Sequence, residues 1–110
     1  MSVNKVILLG YVGRDPEIRF PQPGFQLAML TLATNETVGN PPAEITEWHN
    51  LVMTGKNAEL AEKYIRKGTR LYVEGRLRTR EYEDKFKIRR RITEIHVDRV
   101  ELLGRSSASQ

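Results

Sequence analysis

The sequence contains no cysteine, so disulfide bonds and thiolate metal sites are excluded. It also lacks a long apolar run, because none is longer than residues 6–9, which have the length of a strand and not of a membrane-spanning segment. The first ten residues, MSVNKVILLG, carry one lysine and no small-residue cleavage pattern, which argues against a secretory signal. Together these absences predict a protein of the reducing cytoplasm.

Groups suited to catalysis or metal binding are scarce and scattered. The two histidines, His49 and His96, have no acidic partners at metal-ligand spacing. The serines lie near the termini, so no nucleophile with a neighbouring base presents itself. Glu44 and Glu47 could form an acid/base pair, but exposed strand-edge charges are the favoured interpretation because nothing nearby would give the two carboxyls different roles. The sequence therefore predicts no enzyme, no cofactor and no bound metal.

Positive charge is concentrated in one part of the chain. Residues 66–91 contain 11 Lys/Arg and 4 Asp/Glu, a local balance of +7, whereas the whole chain has a net charge of +4. At a period of two residues, Leu71 and Val73 fall on one face and a row of arginines falls on the other. Aromatic rings mixed into such a basic surface suit a flexible, unpaired nucleic-acid strand, which offers phosphates and exposed bases. A basic face that only keeps the protein in solution is the alternative.

The pattern of apolar and turn-forming residues predicts five strands and one helix within a single domain of residues 1–104, followed by a polar tail of residues 105–110. The helix begins at Asn57, which can cap its first turn, and ends at Gly68. A change of apolar phase predicts a bulge near Asp98 and Arg99. The strands are predicted over residues 3–12, 25–35, 45–54, 70–79 and 88–103.

Two shorter segments lie between the first three predicted strands. Residues 17–20 form a short piece between turn signals, and residues 36–44 read as a projecting loop. With the helix between the third and fourth strands, this order matches a five-stranded Greek-key barrel of the oligonucleotide/oligosaccharide-binding (OB) type. In the third strand, Trp48 shares its parity with Asn50 and Thr54 and not with Leu51 and Met53, so its ring is predicted to point outward.

Four segments together resemble one known family. VNKVILLGYVGRDPEIRF, LTLATNE, TEWHNLVMTGKNAELAEKYIRKG and LYVEGRLRTREY are similar, in the same order, to the bacterial single-stranded-DNA-binding proteins. The resemblance implies a non-catalytic homotetramer of OB barrels that wraps single-stranded DNA, tolerates its sequence and protects it in replication, recombination and repair. Stacking on aromatic rings in positive grooves is the established mechanism of these proteins.

The resemblance also assigns roles to individual residues. Trp48 and Tyr82 match stacking positions, and Tyr72 and Phe86 are added as candidate stacking residues from the basic segment. Val38 and Thr54 stand where the family has aromatic rings, and we expect residues of the basic hairpin to compensate: Lys85, Phe86, Lys87, Arg90 and Arg91. Asn50 and Glu81 stand where some members have basic residues. The predicted phosphate-binding residues are Lys5, Lys56, Lys67, Arg76, Arg78, Arg80 and Arg90.

Assembly and partners follow from the same resemblance. His49 matches a subunit contact, although a histidine satisfied within its own strand is the alternative. The first strand, with Val6 and Leu8, is expected to pair between subunits. The chain has no acid after Glu101, so replication and repair enzymes are expected as partners only if the natural protein carries the family's acidic tail. An RNA-binding or replication-restart OB protein, or a purely structural oligomer, are the competing interpretations.

Overall fold

The computed structural model describes residues 1–105, so all of the predicted tail except Arg105 lies outside the described part. The chain forms six β-strands and one α-helix: β1 (Val6–Val12), β2 (Glu17–Gln22), β3 (Phe25–Val38), β4 (Ala43–Thr54), α1 (Gly55–Tyr64), β5 (Thr69–Glu83) and β6 (Arg89–Arg105). Arg105 still belongs to β6, so the last strand reaches one residue beyond the predicted domain boundary.

The strands close into a barrel. Their order in the sheet is β1-β5-β6-β4-β3-β2, and an additional pairing between β1 and β3 closes the ring. Alternate residues of the strands point inward because side chains of a strand alternate between its two faces. The predicted fold class, a mostly β OB-type barrel with one helix, is confirmed. The barrel interior contains Leu30, Leu32, Leu51, Met53, Leu71, Val73 and Ile95, all nearly inaccessible to solvent.

The structure has one strand more than predicted, and this changes the numbers of the strands on either side of the helix. Residues 17–20 were expected to be a short piece between turn signals, but they belong to a full strand, Glu17–Gln22, that pairs antiparallel with β3, with Glu17 opposite Met29. The helix therefore lies between β4 and β5, and not between a third and a fourth strand. The turn residues on both sides, including Pro21 inside the strand, concealed β2, although its partner β3 follows after a two-residue turn at Pro23 and Gly24.

Two hairpins extend beyond the predicted strand ends. The expected loop at residues 36–44 largely continues β3 and β4, which stay in register until Val38 faces Ala43. Strand β5 runs on to Glu83, so the β5–β6 hairpin forms a long arm. The predicted bulge is confirmed: Glu74 pairs with Arg99 and Gly75 with Val97, which leaves one extra residue in β6.

The helix covers one end of the barrel with a small apolar face. Ala58 and Ala61 are fully buried, and Ile65, which follows the helix, is buried with them. The predicted start was wrong, because α1 begins at Gly55 after Thr54 in extended conformation, and no side chain caps it. Asn57 lies inside the first turn, where its side-chain amide donates to a backbone carbonyl of β6 at 3.4 Å.

Gly68, predicted as the helix stop, lies beyond the end of α1. The helix ends at Tyr64, and the backbone N–H of Ile65 donates to the Ala61 carbonyl at 3.1 Å. Gly68 has a φ of 89°, a left-handed conformation that favours glycine, and its N–H donates to the carbonyl of Val12 at 2.8 Å. It therefore directs the chain from the helix back to the barrel.

Among residues 1–105 no helix combines the length and the apolar character needed to cross a bilayer. Within the same range, no three His, Cys, Asp or Glu side chains are grouped so that they could hold a metal ion.

Candidate nucleic-acid interface

The outer face of β4 carries the tryptophan. Trp48 is 58% exposed, whereas Leu51 and Met53 on the opposite face are buried in the barrel. The outward orientation predicted from strand parity is therefore what the structure has. Gly13 lies beneath the ring: a Cβ atom built on Gly13 would be 2.3 Å from Cζ3 of Trp48 and 3.0 Å from the Thr31 hydroxyl. The missing side chain at position 13 is what leaves room for the indole against the barrel.

The same outer face continues along β3 and β4 as an apolar floor. The β3–β4 register places Ala33 beside Trp48, Met29 beside Val52 and Leu27 beside Thr54. Side chains directly opposite each other in an antiparallel pair share a face of the sheet. Met29 and Leu27 are half-buried and Val52 is buried although none of them points into the barrel core.

That floor belongs to a cavity of about 500 Å³ between the β2–β3 hairpin and the β5–β6 arm. Its size lies within the ~300–1,000 Å³ of typical small-ligand clefts. Three arginines approach it from two sides, one from β2 and two from β5. The lining residues are Arg19, Leu27, Met29, Val52, Arg78, Thr79, Arg80, Glu94 and His96.

Most of this cavity was missed by reasoning from the sequence. Arg78 and Arg80 were predicted to bind phosphate, but Arg19, Met29 and His96 were assigned no role. The sequence did indicate that the outer face of β3 is covered, because residues 25–35 are apolar on both faces. A strand with two apolar faces packs against other parts of the protein on each of them. The sequence could not show which elements form the second cover, because they come from three other strands.

Arg80 is held by a buried carboxylate. Its Nε and Nη2 atoms donate to the two carboxylate oxygens of Glu94 at 3.1 and 3.2 Å. The side chain of Glu94 is only 7% exposed, and His96 Nε2 lies 3.7 Å from Oε1 of the same group. Two parallel hydrogen bonds between a guanidinium and a carboxylate hold the guanidinium in a fixed orientation. Arg80 thus forms a wall of the cavity, and much of its charge is compensated within the protein.

Several other predicted phosphate-binding residues are paired at the surface. Lys5 lies 3.4 Å from Glu74, Arg76 lies 3.3 Å from Asp98, and Arg90 lies 3.0 Å from Asp84. More than half of each cationic side chain remains exposed. Exposed ion pairs contribute only about 0–1 kcal/mol, so a phosphate can compete for these cations. Lys56, Lys67 and Arg78 are exposed and have no ion-pair partner within residues 1–105.

The tip of the arm is built around Asp84. Its carboxylate accepts the backbone N–H of Ile88 at 3.0 Å, the backbone N–H of Phe86 at 2.9 Å and the guanidinium of Arg90 at 3.0 Å. These bonds, of which the one from Ile88 has the largest effect, lower the pKa of Asp84 below its usual value. The turn leaves Phe86 72% exposed, with the ammonium of Lys85 5.3 Å from its ring centroid.

The remaining candidate stacking residues lie apart from one another. Tyr82 is 42% exposed on the arm, and the guanidinium carbon of Arg80 lies 5.6 Å from its ring centroid. Tyr72 is half-buried on the β1 side of the barrel, where its cross-strand neighbours are Leu9 and Glu101. The structure does not bring Tyr72 together with Trp48 or with the cavity.

Tyr72 instead belongs to a polar cluster on β5. Its hydroxyl donates to the carboxylate of Glu74. That hydrogen bond raises the pKa of Tyr72 and lowers the pKa of Glu74. The ring therefore has an internal partner at its polar end, which differs from the open position of Trp48.

The predicted interface residues have contacts inside the chain. His49 is half-buried, and its Nε2 lies 2.8 Å from the Thr34 hydroxyl. Val6 and Leu8 pack against the barrel core. The side chains that β1 exposes are those on its other face, Ile7 at 57%, Leu9 at 46% and Tyr11 at 37%. A subunit contact through β1 would therefore use this face, with Val6 and Leu8 supporting it from the core.

A closed barrel with an exposed tryptophan on one face and a cationic, aromatic arm beside it defines a class of protein that binds single-stranded nucleic acid. Comparison with known proteins makes this specific. The model of the "Single-strand binding protein family" matches residues 3–103. The chain belongs to this family, as the resemblance in its sequence predicted. Its members are non-catalytic DNA-binding proteins, which agrees with the prediction that it is not an enzyme.

Two relatives show how far the similarity extends. The chain is 45% identical over 114 aligned residues to the single-stranded DNA-binding protein of Bacteroides thetaiotaomicron, and the alignment covers 99% of this chain and 71% of that protein. Among solved structures, it is similar to the Plasmodium falciparum SSB in complex with ssDNA, with a TM-score of 0.83 and 35% identity. That match covers 96% of this chain and 97% of the other.

Proposed function

We propose that the protein binds single-stranded DNA with little dependence on base sequence and protects it in replication, recombination and repair. The observation that carries this function is the position of Trp48, which is exposed on a barrel face that leads directly to the cationic arm. Every base offers a flat π-face to an aromatic ring, so stacking tolerates any sequence. The Plasmodium relative, solved with ssDNA, supports this assignment.

Stacking and phosphate neutralisation divide between the barrel and the arm. Trp48 is the principal platform, and Tyr82 and Phe86 extend it along the arm, each exposed by more than 40%. Tyr72 stays a weaker candidate because Glu74 already engages its hydroxyl. The phosphates are neutralised first by cations that have no ion-pair partner in residues 1–105, and then by exposed cations that exchange a carboxylate at the surface for a phosphate. The first group comprises Lys56, Lys67 and Arg78, and the second Lys5, Arg76 and Arg90. Arg80 comes last among the predicted phosphate-binding residues, because two hydrogen bonds hold it to the buried Glu94.

We infer that the protein assembles as a homotetramer in the cytoplasm, around which the strand wraps. The exposed apolar side chains of β1, Ile7 and Leu9, support a subunit contact on that strand. His49 can contribute at its exposed side while it keeps its bond to Thr34. Recruitment of replication and repair enzymes would require an acidic tail, and the sequence has no acidic residue after Glu101.

A fluorescence titration tests the proposed function directly, because Trp48 is the single tryptophan. We expect oligo-dT to quench its emission strongly, more weakly at higher salt, and duplex DNA to leave it unchanged. Binding detected by another probe without quenching would mean that the strand avoids Trp48. A preference for structured RNA over oligo-dT would support the RNA-binding alternative, and absence of any salt-sensitive binding would support a structural role.

A further inference from the structure

A buried carboxylate lies between two nitrogen-bearing side chains at the base of the β5–β6 arm. Arg80 Nε donates to Oε1 of Glu94 at 3.1 Å, and Nη2 of the same guanidinium donates to Oε2 at 3.2 Å. His96 Nε2 lies 3.7 Å from Oε1, so the imidazole and the guanidinium approach the same oxygen. The Glu94 side chain is only 7% exposed, and a buried charge without a counter-charge is strongly destabilising. Glu94 therefore needs a cation beside it, and two residues can supply one.

The two possible counter-ions differ in how they carry their charge. A guanidinium is always protonated in a protein, whereas an imidazole gains or loses its charge between about pH 5 and 8. While His96 is neutral, Arg80 alone compensates the carboxylate of Glu94. Once His96 is charged, Glu94 has a second cation at Oε1, and the guanidinium of Arg80 can turn away without leaving a buried charge unpaired. The Arg80 side chain is 52% exposed, so a phosphate can reach it from solvent.

The charged groups around His96 come from three strands. On β5 the residue directly opposite is Arg76, whose guanidinium lies 3.3 Å from Asp98 and so engages the second acid of this neighbourhood. Strand β4 places the uncharged Val52 opposite His96, and α1 reaches this end of β6 with the amide of Asn57. The charged groups are Glu94 and Asp98 on β6, Arg76, Arg78 and Arg80 on β5, and Arg19, itself paired with Glu17, on β2. Within residues 1–105, Glu94 is the acid at ion-pair distance from the imidazole.

A bound phosphate changes the balance at His96. Its negative charge favours the charged imidazole, because an opposite charge nearby stabilises the protonated form. The effect is reciprocal, so a proton on His96 strengthens phosphate binding by the factor by which phosphate strengthens proton binding. We propose that His96 is a proton-binding site that regulates the affinity for single-stranded DNA, because its imidazolium compensates Glu94 and leaves Arg80 free to bind a phosphate. This regulation rests on the proposed function, since the phosphate belongs to the strand that Trp48 also binds.

The direction of the pH dependence follows from the proton balance. The complex holds a proton on His96 at a pH at which the free protein does not, so binding takes up protons and the affinity rises as the pH falls. For one proton, log K changes by at most about one unit per pH unit. The gain is complete where His96 is charged in the free protein as well, and it is absent where the imidazole stays neutral in the complex. Couplings between two binding events are typically about 5–150-fold, so we expect a gain of about fivefold or more.

Three variants test which group carries the proton and how the proton acts. His96→Gln and His49→Gln each remove one of the two imidazoles of the chain. His49 is a useful comparison because it is bonded to the Thr34 hydroxyl and does not belong to the cluster around Glu94. Glu94→Gln removes the negative charge that holds Arg80 and keeps the shape of the side chain. The affinity for a labelled oligo-dT, whose bases do not titrate in this range, is measured by fluorescence anisotropy at about pH 5.5 and about pH 8, at one ionic strength.

We expect the wild type and His49→Gln to bind oligo-dT about fivefold or more tightly at the lower pH. His96→Gln should bind at both pH values as the wild type does at the higher one. Glu94→Gln should bind at the higher pH about as tightly as the wild type does at the lower one, because Arg80 is already released. In NMR spectra of the wild type, the His96 ring should lose its proton at a higher pH in the complex than in the free protein. A thermal melt at each pH accompanies every variant.

Equal affinity of the wild type at both pH values would overturn the regulation by His96, because binding would then take up no proton, and the proposed function would stand. A gain that persists in His96→Gln, or that disappears only in His49→Gln, would place the proton elsewhere. A full gain in Glu94→Gln would show that the proton does not act through Arg80. An unchanged titration of the wild-type His96 ring on addition of oligo-dT would exclude the coupling even if a variant does not fold. Failure of the wild type to bind oligo-dT at either pH would remove the proposed function itself, and the regulation with it.

Discussion

Replacing Gly13 with alanine should displace the Trp48 ring without unfolding the barrel. The new Cβ would lie 2.3 Å from Cζ3 and 3.0 Å from Cη2 of the indole. Ordinary carbon contacts are about 3.5–4.0 Å, so the ring must move by more than about 1 Å. Because Trp48 is 58% exposed, the indole can swing toward solvent, which is easier than moving a strand.

The expected loss of affinity follows from the value of a stacked base. Stacking contributes about 1–3 kcal/mol per base, and a displaced platform retains part of it. We expect Gly13→Ala to weaken oligo-dT binding by about 1 kcal/mol, or roughly fivefold in Kd. The free energy of unfolding should change little, because the strain is relieved by an exposed side chain and alanine restricts the unfolded chain.

A double-mutant cycle separates this effect from others. Anisotropy of labelled oligo-dT is measured for Gly13→Ala, Trp48→Leu and the combination, since the variants without tryptophan cannot be followed by their own emission. If Gly13 acts through Trp48, Gly13→Ala should cause no further loss of affinity in the protein that already carries Trp48→Leu. Gly13 does not act through Trp48 if Gly13→Ala weakens binding equally with and without Trp48, or if Gly13→Ala binds like the wild type with unchanged tryptophan emission.

Three further outcomes follow from the arm and the bulge. Arg78→Ala should reduce the slope of log K against log salt by about 0.7 and leave the Tm unchanged. Arg80→Ala should also lower the Tm, because the buried Glu94 loses its partner at a cost of about 1–3 kcal/mol in the free energy of unfolding. Identical melting curves for the two variants would contradict this difference. The pKa of Asp84 is lowered in the folded arm, so its contribution to the stability of the arm is complete above the unfolded pKa of about 3.9 and is lost as the pH falls through the lower folded pKa. An NMR titration of the two amides that donate to its carboxylate should give a midpoint below about 3.9. A midpoint above that value would disprove this prediction. Gly75→Ala should destabilise the barrel by about 1–3 kcal/mol, because its Cβ would lie 2.4 Å from a backbone carbonyl oxygen of β6. A thermal melt at fixed protein concentration measures this loss. An unchanged Tm would show that the backbone at the bulge adjusts without cost.

Local patterns in the sequence determined much of this protein. The two-residue alternation in β4 placed Trp48 outward, and the change of apolar phase near Asp98 located the bulge in β6. Both features depend on neighbours along one strand, which a sequence displays directly. The family was also accessible, because four segments matched it in order and the family model matches residues 3–103.

Contacts between distant parts of the chain were decided only by the tertiary structure. Strand β1 closed the barrel through its pairing with β3, in which Tyr11 faces Ala33, and Arg80 acquired Glu94 as a partner fourteen residues away. The cavity on the outer face unites residues of β2, β3, β4, β5 and β6, whose meeting depends on the closure and register of the barrel. Charge and parity identified which side chains could bind a nucleic acid, and the pairing of the strands determined which of them are free to do so.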